Sequence, residues 1–82
     1  MRLPRDLSGE DLVRLLAQVG YQRTRQTGSH IRLTTDRNGE HHLTIPRHPA
    51  LRVGTLSDIL ADVAAHLEMS REELAERLFA GR

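Results

Sequence analysis

Apolar residues recur every three to four positions in three stretches of the 82-residue chain, the spacing of one face of an α-helix. These stretches predict helices over residues 8–19, 55–67 and 70–80. A side chain that can cap a helix begins each stretch: Ser8, Thr55 and Ser70. Each cap is followed three positions later by Asp or Glu, which is typical of a helix start, and Gly20 is typical of a helix end.

Between the first two helices the pattern predicts strands over residues 21–26 and 29–35 and a third strand ending at Pro46. The first has little apolar character, so we expect an edge strand. A three-residue turn, Arg-Asn-Gly ending at Gly39, pairs Leu33 with Leu43, whereas a two-residue turn pairs Leu33 with a Thr. Burial of one face favours the longer turn, with Gly39 left-handed.

The order helix–strand–strand–strand–helix–helix predicts a single α+β domain over residues 1–82. A three-stranded antiparallel sheet takes the helices on one face and leaves the other open, and the last helix is an addition at the C-terminal end. The same α-β-β-β-α architecture occurs in double-stranded-RNA-binding domains.

The middle strand alternates, with Ile31 and Leu33 on the packed face and His30, Arg32 and Thr34 on the open face. An imidazole beside a guanidinium can transfer protons and bind phosphate. The alternative is that His30 is an exposed strand residue with no role. The predicted register also pairs His30 with Pro46, which brings the segment after the third strand alongside the imidazole.

The charge distribution adds to this picture, although the net charge is only +1. All basic residues are Arg, and six lie between the first two helices, against Asp36 and Glu40 as the only acidic residues there. The chain has no Cys and no apolar run of the ~20 residues that a membrane span needs, so we expect a cytoplasmic protein without disulfides.

The five His residues do not predict a metal site. His41 and His42 are neighbours on a strand and point to opposite faces, so they cannot chelate one ion. His66 in the last turn of a helix suits the helix dipole. The only aromatic residues, Tyr21 and Phe79, fall on packing faces, so we expect nucleic-acid recognition through the backbone, with low sequence specificity.

Three short motifs, in this order and spacing, resemble the HicA-type mRNA interferase toxins. They are Gly-Ser-His at residues 28–30, Ile-Pro-Arg-His at 45–48 and Gly-Thr-Leu-Ser-Asp-Ile-Leu at 54–60. The resemblance covers roughly residues 8–67. It implies a double-stranded-RNA-binding-like fold, mRNA cleavage that arrests growth, and catalysis by His30 without metal or other cofactor. It also implies a HicB-type antitoxin that binds the toxin and blocks its active site, giving a hetero-oligomer.

We therefore expect His30 to act as general base or acid when a ribose 2′-OH attacks the adjacent phosphorus. The expected substrate-binding residues are Gly28, Ser29, Arg25, Arg32, Arg47 and His48. The three Arg side chains would hold phosphate, and His48 would be a second proton-transfer group or else a loop residue bonded to the backbone. Gly28 would adopt a turn conformation that a Cβ opposes, and Ser29 would bond locally or touch phosphate.

Two other classes of function compete with a nuclease. A non-catalytic double-stranded-RNA-binding module would carry basic residues at the start of the helix after the sheet, but the predicted start, residues 55–58, has none. A protein-interaction domain would use the free edge of the sheet at residues 21–26. A toxin held by an antitoxin would share that edge, so the feature discriminates poorly.

Overall fold

A computed structural model describes residues 3–80 of the protein. The elements in chain order are helix α1 (Gly9–Leu16) with a 3₁₀ turn (Ala17–Val19), strands β1 (Gln22–Gln26), β2 (His30–Thr35) and β3 (His41–Pro46), and helices α2 (Val53–Leu67) and α3 (Arg71–Phe79). This is the predicted α+β arrangement. No helix within residues 3–80 has the length and apolar character to cross a membrane.

The sheet is antiparallel with the order β1-β2-β3, so β2 is central and the other two strands are edges. Leu33 pairs with Leu43 and His30 with Pro46, which confirms the register predicted from burial. Gly39 has a φ of 97°, so the predicted left-handed position is confirmed too.

The helices cover one face of the sheet. Ile31 and Leu33 are fully buried, whereas the alternate residues His30 and Arg32 are exposed, so one face of β2 remains open to solvent. Tyr21, directly before β1, is fully buried, and its hydroxyl lies 2.7 Å from Nδ1 of His41. The predicted strand start at Tyr21 is one residue early because its N–H donates to the carbonyl of Leu16 (3.2 Å) and so closes α1.

Two helix starts follow the predicted capping chemistry. The Ser8 Oγ accepts from the Asp11 N–H (2.9 Å) and the Asp11 carboxylate accepts from the Ser8 N–H (3.2 Å). The Ser70 Oγ accepts from the Glu73 N–H at 3.0 Å. These caps satisfy N–H groups that the first helical turn leaves without partners.

The predicted start of α2 at Thr55 is wrong. The helix begins at Val53, and Arg52, in extended conformation, occupies the N-cap without a side-chain cap. The cause is a long-range contact, since the buried Leu51 donates its N–H to the carbonyl of Leu7 (2.7 Å) and fixes the chain just before Arg52. The first residue beyond this anchor, Arg52, therefore becomes the N-cap, and the helix starts at the next residue.

The turn between β2 and β3 is held to the C-terminal end of α2 by His66. Its Nε2 lies 2.9 Å from the carbonyl oxygens of both Arg37 and Gly39, so the ring N–H donates into the turn. The ring also stacks on His41, with centroids 4.3 Å apart. The sequence predicted that His66 lies in the last turn of a helix, where it suits the helix dipole, but it did not predict these contacts.

Helix α1 begins directly against the segment that follows β3. The Gly9 N–H donates to the carbonyl of His48 (3.0 Å), and a Cβ at Gly9 would overlap the carbonyl oxygen of Pro46. Because Gly9 is buried and lacks a side chain, the helix and this segment lie in backbone contact. The contact fixes the end of β3 that pairs with His30.

Candidate functional site

An open groove of about 210 Å³ lies on the helix-free face of the sheet. It is lined by Arg25, Thr27, His30, Arg32 and Thr44, and we refer to it as the His30 groove. All three strands contribute to it or border it, so the sheet itself fixes the positions of the imidazole and the two guanidinium groups. This confirms that His30 and Arg32 share the open face.

The imidazole of His30 is exposed at the start of β2, and its surroundings leave one ring nitrogen available. Its Nδ1 is hydrogen-bonded to the Oγ of Ser29 (2.9 Å), which is the local bond expected for that hydroxyl. Within residues 3–80 no hydrogen bond reaches Nε2. The backbone is held on both sides, because the Thr27 N–H donates to the His30 carbonyl (2.9 Å) and the Arg47 N–H to the Ser29 carbonyl (2.9 Å). The backbone that carries the ring is therefore fixed, and the ring presents Nε2 to solvent.

A β-bulge places Arg25 beside Arg32. Arg23 pairs with Leu33 but Arg25 pairs with Arg32, so Thr24 is the extra residue of β1. In a regular strand Arg25 would oppose Ile31 and share the face of Arg23. The bulge turns its side chain to the open face, a re-aiming that bulges near functional sites often produce.

The guanidinium groups of the central segment fall into two sets. Arg25 and Arg32 have no carboxylate partner among the residues that the structure describes, so their charge remains available to a ligand. Arg23 and Arg47 both bind Glu10 of α1, with contacts of 2.5 and 3.3 Å. The hydrogen bond from Arg23, helped by the charges of both Arg groups, lowers the pKa of Glu10 below its usual range. Arg47, predicted to hold phosphate, is thus engaged by an acidic residue outside the groove.

The predicted role of Gly28 as a strained turn residue is wrong. Its φ is not in the left-handed region, and a Cβ built on it would meet nothing within 4 Å. The turn closes through the bond from Thr27 to His30 without a special conformation at Gly28. Neither the backbone nor the packing of this chain requires glycine there.

The side chain of His48 is exposed and does not line the His30 groove. Its carbonyl oxygen accepts from the Gly9 N–H, which agrees with the backbone-bonded alternative.

Two residues of the His30 groove, Thr27 and Thr44, were not predicted from the sequence. The sequence could have predicted Thr44 as a groove residue, because the predicted register pairs Thr44 with Arg32 on the open face.

His41 and His42 point to opposite faces, as predicted. His41 contacts Tyr21 and lies 3.2 Å from Asp62 of α2, while the His42 ring bonds Thr34 (2.9 Å) and Glu40 (2.8 Å) on the open face. Among residues 3–80 no group of three or more His, Asp or Glu is arranged to hold a metal ion.

A three-stranded antiparallel sheet backed by helices, with a basic, imidazole-bearing open face, defines a small α+β protein with the α-β-β-β-α arrangement of double-stranded-RNA-binding domains. Residues 9–64 match the model of the family described as HicA toxin of bacterial toxin–antitoxin. The match covers more than half of the chain, and the chain belongs to the HicA toxin family. It is therefore the toxin of a toxin–antitoxin system, with an antitoxin as its partner. No curated protein and no solved structure matches the chain.

Proposed function

We propose that this toxin is an endoribonuclease that cleaves mRNA in the cytoplasm, with His30 as its catalytic residue. One observation carries the proposal: an exposed imidazole lies in a groove beside two guanidinium groups, and no residue from 3 to 80 bonds its Nε2 or offers those groups a carboxylate partner. Cleavage of RNA needs a proton acceptor and positive charge on the phosphoryl oxygens, and this groove offers both.

In the proposed reaction Nε2 of His30 accepts the proton of a ribose 2′-OH. The 2′-oxygen then forms a bond to the adjacent phosphorus while the bond from phosphorus to the 5′-oxygen breaks. Arg25 and Arg32 hold the non-bridging oxygens, whose negative charge grows in the transition state. The 5′-oxygen takes a proton from water, which reaches the open groove. The products are a 2′,3′-cyclic phosphate and a 5′-hydroxyl.

Ser29 is a positioning residue in this scheme. Because its hydroxyl bonds Nδ1, the ring is oriented and the proton transfer is directed to Nε2. The proposal keeps the chemistry metal-independent and assigns no cofactor. It also takes the antitoxin to be of HicB type, bound over the His30 groove so that RNA is excluded.

The first test compares purified wild-type protein with His30→Ala and His48→Ala. We expect His30→Ala to lose roughly 10²–10⁴-fold in cleavage rate, the usual contribution of a positioned acid or base. His48→Ala is the matched control, since it removes an exposed imidazole of the same protein from outside the groove. Gel analysis of a single-stranded RNA gives the rates, and end-group analysis checks for the cyclic phosphate.

Several outcomes would contradict the proposal. If His30→Ala cleaves as fast as wild type, the catalytic assignment is wrong. If a chelator abolishes cleavage and added metal restores it, the reaction is not metal-independent. Expression of the same variants in cells, with growth and total mRNA followed, shows whether cleavage accounts for toxicity.

The start of α2 favours one competing function, a double-stranded-RNA-binding module without chemistry. Arg52 stands at its N-cap, so this helix start carries a basic residue that the predicted start at Thr55 lacked. Such a module would bind a duplex more tightly than a single strand, would cleave neither, and would lose affinity in Arg52→Ala. A nuclease that acts through the His30 groove would show the opposite preference.

A further inference from the structure

A second groove lies on the sheet beyond the His30 groove, between β1 and β2. It encloses about 300 Å³ and is lined by Gly20, Gln22, Thr24, Thr34, Thr35 and Asp36. We refer to it as the distal groove. Gln22 pairs with Thr34 across the two strands, and Asp36, the first residue after β2, lines the same groove.

The hydroxyl groups of the distal groove are already engaged within the protein. The Oγ1 atoms of Thr24 and Thr34 lie 2.9 Å apart, and Thr34 also bonds Nδ1 of His42 at 2.9 Å. The Oγ1 of Thr35 accepts from the Arg37 N–H at 3.1 Å.

Two polar side chains remain available in this groove. The carboxylate of Asp36 and the amide of Gln22 have no hydrogen-bond partner anywhere in residues 3–80, and both are exposed. A carboxylate only accepts hydrogen bonds when ionised, whereas an amide both donates and accepts. A ligand of this groove therefore needs at least one donor, aimed at Asp36.

The charges of the two grooves differ. Of the residues that the structure describes, two arginines without a carboxylate partner line the His30 groove, whereas the distal groove is lined by no cationic side chain and by one charged group, the carboxylate of Asp36. Arg37 packs against Gly20 at the rim, where its Nε would lie 2.9 Å from a Cβ. Phosphate suits the first groove, and a neutral group with N–H donors suits the second.

The two grooves lie within reach of one strand of RNA. Thr34 follows His30 by four residues of β2, which is about 13 Å along an extended strand. A single-stranded segment whose phosphate is held at Arg25 and Arg32 can therefore extend along the sheet and place a nearby base in the distal groove.

We propose that the distal groove is a base-recognition subsite that selects an amino-bearing base, and that Asp36 determines this specificity. The inference rests on the proposed cleavage of RNA at His30. Cytosine, adenine and guanine carry an exocyclic amino group that can donate to the Asp36 carboxylate, and Gln22 can pair with the neighbouring ring nitrogen or carbonyl. Uracil has no amino group, and its one N3–H donor lies between two carbonyl oxygens, which the carboxylate would repel.

The test measures binding of fluorescently labelled oligocytidine and oligouridine to the His30→Ala protein, which leaves the RNA intact. We expect oligocytidine to bind roughly tenfold tighter, as one good base contact allows. Asp36→Asn should bring the ratio close to one, because an amide can donate to uracil. Asp58→Asn, the same change at an exposed position of α2, should keep the preference.

The outcomes distinguish failure of the base subsite from failure of the nuclease. Equal binding of the two RNAs, or a preference that survives in Asp36→Asn, overturns the base subsite and leaves the nuclease untouched. A preference lost only in Asp36→Asn, in a protein whose wild type cleaves no RNA, supports the subsite and overturns the nuclease. Absence of binding to either RNA overturns both. Thermal melts of the variants check that the β2–β3 turn, where only the backbone carbonyl of Asp36 is bonded, remains folded.

Discussion

At Gly28 the chain has glycine where its own fold does not need one. The φ is not left-handed, and the space where a Cβ would lie is empty. The residue adjoins Ser29 and His30 at the mouth of the His30 groove. An open position of this kind leaves room for the backbone of a bound strand to approach closely.

We therefore predict opposite effects of Gly28→Ala on folding and on cleavage. The free energy of unfolding should be unchanged or should rise by about 0.4–1 kcal/mol, since alanine restricts the unfolded chain. RNA cleavage should fall, because the new methyl group would stand where the proposed RNA substrate approaches. Urea unfolding and cleavage rates measure the two effects.

Gly39→Ala is the contrasting variant. Its φ of 97° lies in the left-handed region, so a Cβ there should cost roughly 1–2 kcal/mol. A Gly28→Ala protein as destabilised as Gly39→Ala would show that Gly28 serves the turn after all.

The alternation of β2 was enough to place His30 and Arg32 on the open face, because side-chain direction in a strand is a local property. It was not enough for Arg47 and His48. Both follow Pro46, where the alternation ends, and Arg47 is drawn to Glu10 by a contact between distant parts of the sequence. The motif residues could be named in advance, but their partners outside the strand could not.

At the scale of elements, the bulge in β1 directs the side chains of two arginines to opposite faces of the sheet, although they are only two positions apart. Arg23 reaches Glu10 on the helix side, whereas Arg25 lines the His30 groove. Nothing in the Gln-Arg-Thr-Arg-Gln sequence predicts the bulge, since it depends on how β1 registers against β2. The Thr24 hydroxyl, which bonds Thr34 across the strands, supports this register.

We predict that Arg25→Ala weakens binding of single-stranded RNA and that Arg23→Ala does not. Loss of one phosphate contact should lower the slope of log affinity against log salt concentration by about 0.7. Arg23→Ala should cost only about 0–1 kcal/mol of stability, the usual value of an exposed ion pair. Salt titrations in the His30→Ala background compare the two, and equal losses would mean that the bulge does not direct Arg25 to RNA.

The helix starts show the same division between local and long-range causes. The caps at Ser8 and Ser70 depend on residues three positions apart, and the sequence predicted both. The start of α2 depends on Leu51 and Leu7, which are far apart in the chain, and the local pattern at Thr55 predicted it wrongly.

For the whole molecule, the composition means that a single side chain, that of Tyr21, titrates at high pH. The chain has no Lys or Cys and a single Tyr, so Tyr21 is the only side chain that ionises between about pH 10 and 12. Burial, with a smaller effect of the charge of Asp62, raises the pKa of Tyr21 from 10.0 to about 12. The unfolded chain loses this proton near pH 10, and the folded protein keeps it until about pH 12.

Between these pH values the folded protein holds a proton that the unfolded chain has lost. The free energy of unfolding should therefore keep its full value below pH 10 and should decrease as the pH rises towards 12. Urea unfolding at a series of pH values measures the decrease. Tyr21→Phe cannot ionise and should show a nearly flat profile over the same range, although it loses the bond to His41. A wild-type profile as flat as that of the variant would contradict the assignment.

The backbone contact between Gly9 and Pro46 has a practical consequence for work with a toxin gene. A methyl group at Gly9 would wedge α1 away from the end of β3 and so loosen the framework behind His30 without altering any side chain of the His30 groove. Such a weakened framework melts at lower temperature than the intact one. Gly9→Ala is thus a natural starting point for a conditional allele, silent in warm cultures and active in cool ones.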